Sequence, residues 1–204
     1  MLEHIPHWLG NALKGLRAGT DKLAIVQDGL GSFTAIDLRS PAFANGARIP
    51  ERFTADGDGV SPPLFWTGVP AEATHLALLV EDADAPTPAP LVHAIVWDLP
   101  AEDGQLAEGA IVADGDGTAS GDVGRNSYLR EGWLPPDPPT GHGEHRYAFQ
   151  LFALKNAADP GATPSRGDII DAMRGRVLAA GLLTGTYSRG EPADVAPVGA
   201  VATA

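Results

Sequence analysis

Carboxylate and imidazole side chains stand at the ends of two strongly apolar segments in the middle of the chain. Residues 76–80 and 91–97 are almost wholly apolar, which is typical of buried strands. His93 lies within the second segment, and directly after the first come three carboxylates: Glu81, Asp82 and Asp84. Such groups lose hydration when buried, so they need a partner or a function there. We expect them to form the floor and one wall of a small pocket.

A later stretch carries the same kinds of side chain. Pro138 and Pro139 form a turn, the run Gly-His-Gly-Glu-His-Arg occupies residues 141–146, and an apolar strand is predicted over 147–154. His145 therefore stands at the start of a strand, close to a glycine-rich loop. Two histidines beside acidic or glycine-rich loops favour a ligand site over two isolated core histidines.

The order of these segments resembles the phosphatidylethanolamine-binding protein family, particularly its bacterial Raf-kinase-inhibitor-like (YbhB/YbcL) branch. The sequence Asp-Ala-Asp-Ala-Pro at 82–86 is similar to that family's Asp-Pro-Asp-Ala-Pro motif, which is followed by a strand histidine. Gly-Glu-His-Arg-Tyr at 143–147 is similar to its Gly-x-His-Arg-Tyr motif, which follows a Pro-Pro turn. The segments at 61–66 and 149–154 also resemble the family, and the resemblance covers about residues 33 to 190.

The resemblance implies a mainly β fold, a β-sandwich with short peripheral helices, and a small pocket that accepts phosphate or a phosphoryl headgroup. Members are usually binding or regulatory proteins without established catalysis, and no cofactor is expected. In the implied site the carboxylates orient the imidazoles, the imidazoles donate to the anion, and two prolines and a tyrosine shape the rim. Carried over to this chain, the ligand-binding residues are Asp82, Asp84, Pro86, His93, Pro138, His145 and Tyr147.

The sequence departs from the family pattern at three positions. Ala83 replaces the first proline of the acidic motif, Asp137 stands where a glycine is common, and Glu144 replaces an apolar residue or proline. Two additional acidic groups near the mouth of the pocket would oppose tight phosphate binding. Arg146 is expected to be structural and tied to a carboxylate or to backbone carbonyls.

Two other chemistries remain open. Asp82 or Asp84 paired with His93 or His145 could form an acid–base enzyme that acts on a small metabolite. The same two histidines with an Asp could hold zinc or iron, although they lack compact ligand spacing and no metal is expected. A serine hydrolase is disfavoured, because neither Ser61 nor Ser127 lies in a Gly-x-Ser-x-Gly elbow.

Composition narrows the function classes further. The 204 residues carry a formal net charge of -12 and no visible Lys/Arg cluster, which argues against nucleic-acid binding. Without cysteine the chain has no disulfide, thiolate metal site or cysteine nucleophile. No secretory signal pattern or membrane-spanning run is seen, so we expect a cytoplasmic protein that is not an integral membrane protein. The family resemblance, rather than composition, implies that its partner is a small anionic ligand.

The predicted organisation has three parts: an amphipathic helix over residues 1–22, which could mediate a homodimer, a domain over 23–190, and a flexible tail over 191–204. Within the domain we predict a strand over 33–43, a turn at 56–59 and a helix over 168–181. Asp168 would cap that helix and Gly181 would end it, before a final strand. The Ala85–Pro86 bond is a candidate cis peptide, because a tight turn there would present two carboxylates.

Overall fold

The computed structural model describes residues 13, 15–31, 33–114 and 121–190. This part of the chain is mostly strand, and one six-stranded sheet packs against one three-stranded sheet. The strands are β1 (Thr34–Ala35), β2 (Asp37–Arg39), β3 (Leu64–Thr67), β4 (His75–Asp82), β5 (Leu91–Leu99), β6 (Gly104–Leu106), β7 (Asp122–Val123), β8 (His145–Leu154) and β9 (Val177–Tyr187). The predicted mainly β fold is confirmed.

The larger sheet has the order β1-β9-β8-β4-β5-β7, and the smaller sheet has the order β2-β3-β6. Only the β1–β9 pairing is parallel among the pairings within these sheets. Helices in the described residues are short: α1 (Arg166–Met173) and three 3-10 turns at Thr20–Lys22, Ala24–Val26 and Glu51–Phe53. None of them is long and apolar enough to cross a membrane.

Strand β4 lies at the centre of the larger sheet and is apolar on both faces. Its even-numbered residues, Leu76, Leu78 and Val80, belong to the core shared with the smaller sheet. Ala77 and Leu79 belong to the core beneath α1. Both faces of the strand are therefore covered, which explains why its sequence reads as a continuous apolar run rather than an alternating one.

The same alternation separates the two acids at the end of β4. Glu81 follows the odd-numbered face and accepts a hydrogen bond from Arg166 Nε of α1 at 2.5 Å. Asp82 follows the even-numbered face, on which the smaller sheet packs, and reaches the candidate site. Strand β8 pairs with β4 without a register shift, so Tyr147 lies opposite Asp82.

Three local expectations are wrong. The predicted strand over 33–43 is two short strands, because the chain crosses from the larger sheet at β1 to the smaller one at β2. The predicted helix over 168–181 is instead α1, which ends at Met173. Its N-cap is Ser165 rather than Asp168, and Asp168 is the fourth residue of the capping box. Gly181 lies inside β9, because the chain after Gly175 (φ +65°) pairs with β8 along nearly its whole length.

Two further expectations concern termini and turns. Residues 1–12 and 191–204 lie outside the described residues. They make up most of the predicted helix and all of the predicted tail. Within the described part, residues 16–19 are not helical, and Ala18 and Gly19 instead donate backbone hydrogen bonds to Ala85 and Ala83. The predicted turn at 56–59 is confirmed.

The close packing of the segment between β2 and β3 on the larger sheet depends on Gly185 of β9. A Cβ at this position would lie 2.5 Å from Ile49 and 2.9 Å from Phe43, closer than carbon atoms can pack. Gly185→Ala should lower the free energy of unfolding by about 1–3 kcal/mol through overpacking. Urea denaturation followed by tryptophan fluorescence measures this change.

A matched control is Gly167→Ala in α1, where the nearest atom to a new Cβ lies 3.9 Å away. Alanine in a helix is favoured over glycine, so this variant should be as stable as the wild type or up to about 1 kcal/mol more stable. Equal losses in both variants would contradict the packing assigned to Gly185.

Candidate functional site

A small cavity opens where β4, β5 and β8 meet the loop before β8. Its volume of about 40 Å³ is roughly three times what one water molecule needs, so it has room for a small group such as an oxyanion. It is bordered by Asp82, Ala85, Pro86, Leu91, His93, Tyr128, Leu134, Pro135, Asp137, Pro138, Pro139 and His145. Four of these are prolines, so most of the wall is apolar and rigid.

The structure brings five of the seven predicted ligand-binding residues to this cavity: Asp82, Pro86, His93, Pro138 and His145. The other two do not border it. Asp84 is fully buried in an ion pair, and Tyr147 is fully buried behind the histidine rings rather than at the rim. Their expected direct roles are therefore not supported by their positions.

His93 reaches the cavity because it is an extra residue in β5. Val80 pairs with Ala94 and Glu81 pairs with Val92, so His93 has no partner on β4. This β-bulge turns the His93 side chain to the same side as Ala94, toward the smaller sheet. Bulges are often found where a strand must redirect a side chain beside a binding site.

The His93 ring has one occupied and one unoccupied nitrogen. Its Nδ1 lies 2.6 Å from the backbone carbonyl of Leu134, so Nδ1 carries a proton and donates it. Its Nε2 is buried and makes no hydrogen bond with any described residue. Burial lowers the pKa of His93, and the negative charge of Asp82 raises it by less than burial lowers it. The ring is therefore neutral near neutral pH, and Nε2 is a hydrogen-bond acceptor.

Asp82 is fully engaged on the opposite wall. One carboxylate oxygen accepts the backbone N–H of Asp84 at 2.8 Å, and the other accepts from Nδ1 of His145 at 2.7 Å. Two donors favour the ionised form of a carboxylate. Asp82 thus orients the His145 ring, which is the role that the family resemblance implies.

His145 also contacts His142, a residue that the sequence reasoning missed. His145 Nε2 lies 2.6 Å from His142 Nδ1, and His142 Nε2 donates to the backbone carbonyl of Leu13 at 2.8 Å. Both ring nitrogens of His145 are therefore occupied. The only signal in the sequence was the position of His142 in the glycine-flanked run before His145.

The proton count along this chain sets its charge. Three hydrogen bonds join the Asp82 carboxylate, the two rings and the Leu13 carbonyl, and both ends can only accept. Three protons are needed, whereas two neutral imidazoles carry one each on their nitrogens. Burial and the neighbouring His145 lower the pKa of His142. The third proton therefore lies within the Asp82–His145 pair, which is close to neutral overall.

Of the two additional acidic residues, only Asp137 borders the cavity, and its charge is partly offset by an arginine. Asp137 borders the cavity, but it is paired with the buried Arg189, which also binds Asp56 at 2.7 Å. Glu144 is exposed and does not border the cavity. Arg189 was not singled out in the sequence, because its partner Asp137 lies 52 residues away.

Other expectations for this region are settled by the contacts. Arg146 is structural as predicted, since its Nε and Nη2 both lie 2.7 Å from the Asp84 carboxylate. The cis prediction for Ala85–Pro86 is wrong, because all described peptide bonds are trans. The two carboxylates are presented by the strand end and by arginine pairing, so no tight cis turn is needed. Among the described residues, no cluster of His, Asp and Glu could hold a metal ion.

Comparison with known proteins defines the class to which this fold and site belong. Residues 39–188 match the family model described as phosphatidylethanolamine-binding protein. A UPF0098 protein of Methanothermobacter thermautotrophicus is 41% identical over 158 residues, which cover 76% of this chain and all of the relative.

Solved structures agree with the sequence match. CT736 of Chlamydia trachomatis, described as a homologue of phosphatidylethanolamine-binding protein, is 35% identical with a TM-score of 0.68. Escherichia coli YbcL is 26% identical with a TM-score of 0.70. Each alignment covers 76% of this chain and 99% of the other. The chain belongs to the phosphatidylethanolamine-binding protein family.

The buried pairing of Asp84 gives a prediction for stability. Burial alone would raise the pKa of Asp84, but hydrogen bonds from Arg146 and Arg17 lower it to about 2. A lowered pKa stabilises the fold above the unfolded-state pKa of about 3.9, and the effect is lost as the pH falls through the folded-state value. Since both guanidinium groups reach solvent and are screened, Asp84→Asn should lower the unfolding free energy by about 1–2 kcal/mol at neutral pH.

That loss should shrink as the pH falls below about 4, because the wild-type carboxyl then loses the same stabilisation. Urea unfolding between neutral pH and about pH 3 measures it. The control is Asp37→Asn, which alters an exposed pair with Arg39 and should change stability by less than about 0.5 kcal/mol. A penalty for Asp84→Asn that did not depend on pH would contradict the assigned ion pair.

Proposed function

We propose that this protein binds a small anion, phosphate or a phosphoryl headgroup, in the cavity bordered by His93 and Asp82, and that it acts by binding rather than by catalysis. The observation that carries the proposal is the unpartnered Nε2 of His93, a buried polar atom on a ring that borders a cavity. Buried polar atoms in native proteins almost always have a partner. A ligand in the cavity would supply one.

The contacts refine how such an anion would be held. Both nitrogens of His145 are occupied, so His145 borders the site without offering a free N–H. His93 is then the ring that contacts the ligand. The prolines at 135, 138 and 139, together with Tyr128, would pack against the ester substituent of a phosphoryl headgroup.

The acid–base alternative has less support from these contacts. The Asp82–His145 pair has a suitable separation of 2.7 Å for proton transfer, but the remaining nitrogen of His145 is bound to His142. The pair therefore presents no open ring nitrogen to a substrate in the cavity. A regulated protein partner, a homodimer and a cytoplasmic location stay predictions, and light scattering of the full chain tests the homodimer.

The proposal predicts that the affinity for a phosphate monoester falls as the pH rises. The bound state needs one proton between His93 Nε2 and a ligand oxygen, and a phosphate monoester loses its last O–H proton with a pKa of about 6. The burial-lowered pKa of His93 means that the ring does not supply this proton at alkaline pH. Calorimetric titration with phosphoethanolamine should give at least about tenfold tighter binding at about pH 5.5 than at about pH 8.

The matched variants are His93→Ala, which should abolish measurable binding, and His75→Ala, which should not change it. His75 begins β4 at the end of the strand opposite Asp82, where it pairs with Asp98. Phosphoethanolamine is the probe because the family's description names an ethanolamine phospholipid. Inorganic phosphate serves as a second probe, and its affinity should depend less on pH because its dianion keeps an O–H. Equal phosphoethanolamine affinities at the two pH values, or full binding by His93→Ala, would refute the assigned site.

A further inference from the structure

The unoccupied nitrogen of His93 also determines which oxyanions the cavity would accept. We infer that His93 is a specificity-determining residue that accepts a hydrogen bond from the ligand, so the cavity selects phosphate groups that carry an O–H over sulfate. This inference rests on the proposed function and goes further, because it assigns the proton to the ligand. Sulfate has the same tetrahedral shape as phosphate but carries no proton near neutral pH.

The first argument is the tautomer of the ring. Leu134 contributes a backbone carbonyl, which can only accept, and it lies 2.6 Å from Nδ1 of His93. A neutral imidazole has one N–H, so Nε2 holds a lone pair. The nearby hydroxyl of Tyr147, whose ring centroid lies 5.0 Å from that of His93, is also buried and unpartnered among the described residues. It therefore does not fill this position.

The second argument is the charge around the ring. The titratable groups that face His93 are Asp82 on β4, His145 and Tyr147 on β8, and Asp137 on the loop before β8. Asp82 and His145 form a pair that is close to neutral, and Asp137 shares Arg189 with Asp56. Among the described residues that border the cavity, none offers a cationic N–H that is still open. A proton on the ligand both lowers its charge and provides the missing donor.

The third argument is the size of the effect. A buried acceptor that faces a second acceptor loses its hydrogen bond and its hydration, and the two groups repel. Sites built to bind a ligand O–H reject analogues without it much more strongly than apolar pockets reject analogues that differ by one methyl group. We expect phosphate to bind at least about 10- to 100-fold more tightly than sulfate at about pH 6.5.

The test is calorimetric titration of the full chain with inorganic phosphate and with sulfate at equal ionic strength. The two anions are compared for the wild type, His93→Gln and the control His75→Gln. The Gln amide can donate as well as accept, so His93→Gln should reduce the preference for phosphate to within a few-fold. The His75→Gln control should keep the full preference.

A second measurement uses the wild type alone and so does not depend on folding of a variant. Titrations at about pH 7.5 in buffers of different ionisation enthalpy give the number of protons taken up on binding. Phosphoethanolamine should take up most of one proton, because its phosphate group is at that pH mainly a dianion without an O–H. Inorganic phosphate should take up less, because its dianion keeps one O–H. Residual sulfate binding should take up none.

The outcomes separate the two proposals. Preference for phosphate that is lost in His93→Gln, with proton uptake for phosphoethanolamine and none for sulfate, supports the inference. Equal binding of both anions, or sulfate binding with uptake of a proton, overturns the inference and leaves the proposed function standing. Preference that is unchanged in a folded His93→Gln variant overturns the role of His93. Failure of both anions to bind overturns the proposed function and the inference with it.

Discussion

Three buried carboxylates at the end of β4 dominate the electrostatics of this protein. Each one must be neutralised, because an unpaired charge in the interior costs several kcal/mol. Glu81 accepts hydrogen bonds from Arg166, Gln150 and the backbone of Ala24. The other two use different partners: Asp82 binds His145, and Asp84 binds Arg146 and Arg17. These pairs attach α1, β8 and the N-terminal segment to the central strand.

This arrangement divides the acidic motif into a scaffold and a site. Asp84 and Glu81 hold surrounding elements in place. Of the three carboxylates only Asp82 faces the cavity, where its hydrogen bond orients the His145 ring. The histidine that is left with an open nitrogen is His93, which is delivered by a bulge. Preorganisation of this kind is common in ligand sites, because rigid neighbours fix a side chain before the ligand arrives.

The sequence predicts the features that depend on local pattern and motif order. The apolar runs at 76–80 and 91–97 identified the central strands, and the paired motifs identified five of the residues that border the cavity. It does not reveal the bulge at His93, because register depends on the neighbouring strand. It also misses His142 and Arg189, whose partners Leu13 and Asp137 lie far away in the chain.

Two features that the sequence does not reveal have the same physical origin. The residues after Met173 have the spacing of a helix, but pairing with β8 stabilises them as a strand, so tertiary contacts override the local periodicity. Asp137 was expected to oppose anion binding because the sequence does not show which cation it meets. The compensating Arg189 lies next to the final strand, close in space and distant in sequence.

The hydrogen bond between His142 and the Leu13 carbonyl has a consequence for the order of folding. It joins residues 129 positions apart, and the bond from Arg17 to Glu144 spans 127. Contacts of such long sequence separation form late and slow the folding of a domain. On the ribosome, Leu13 and Arg17 emerge early, yet their partners His142 and Glu144 lie directly before β8 and are made much later. The site's proton chain is thus among the last features to be completed, so the cavity acquires its final charge balance only once nearly the whole domain has been synthesised.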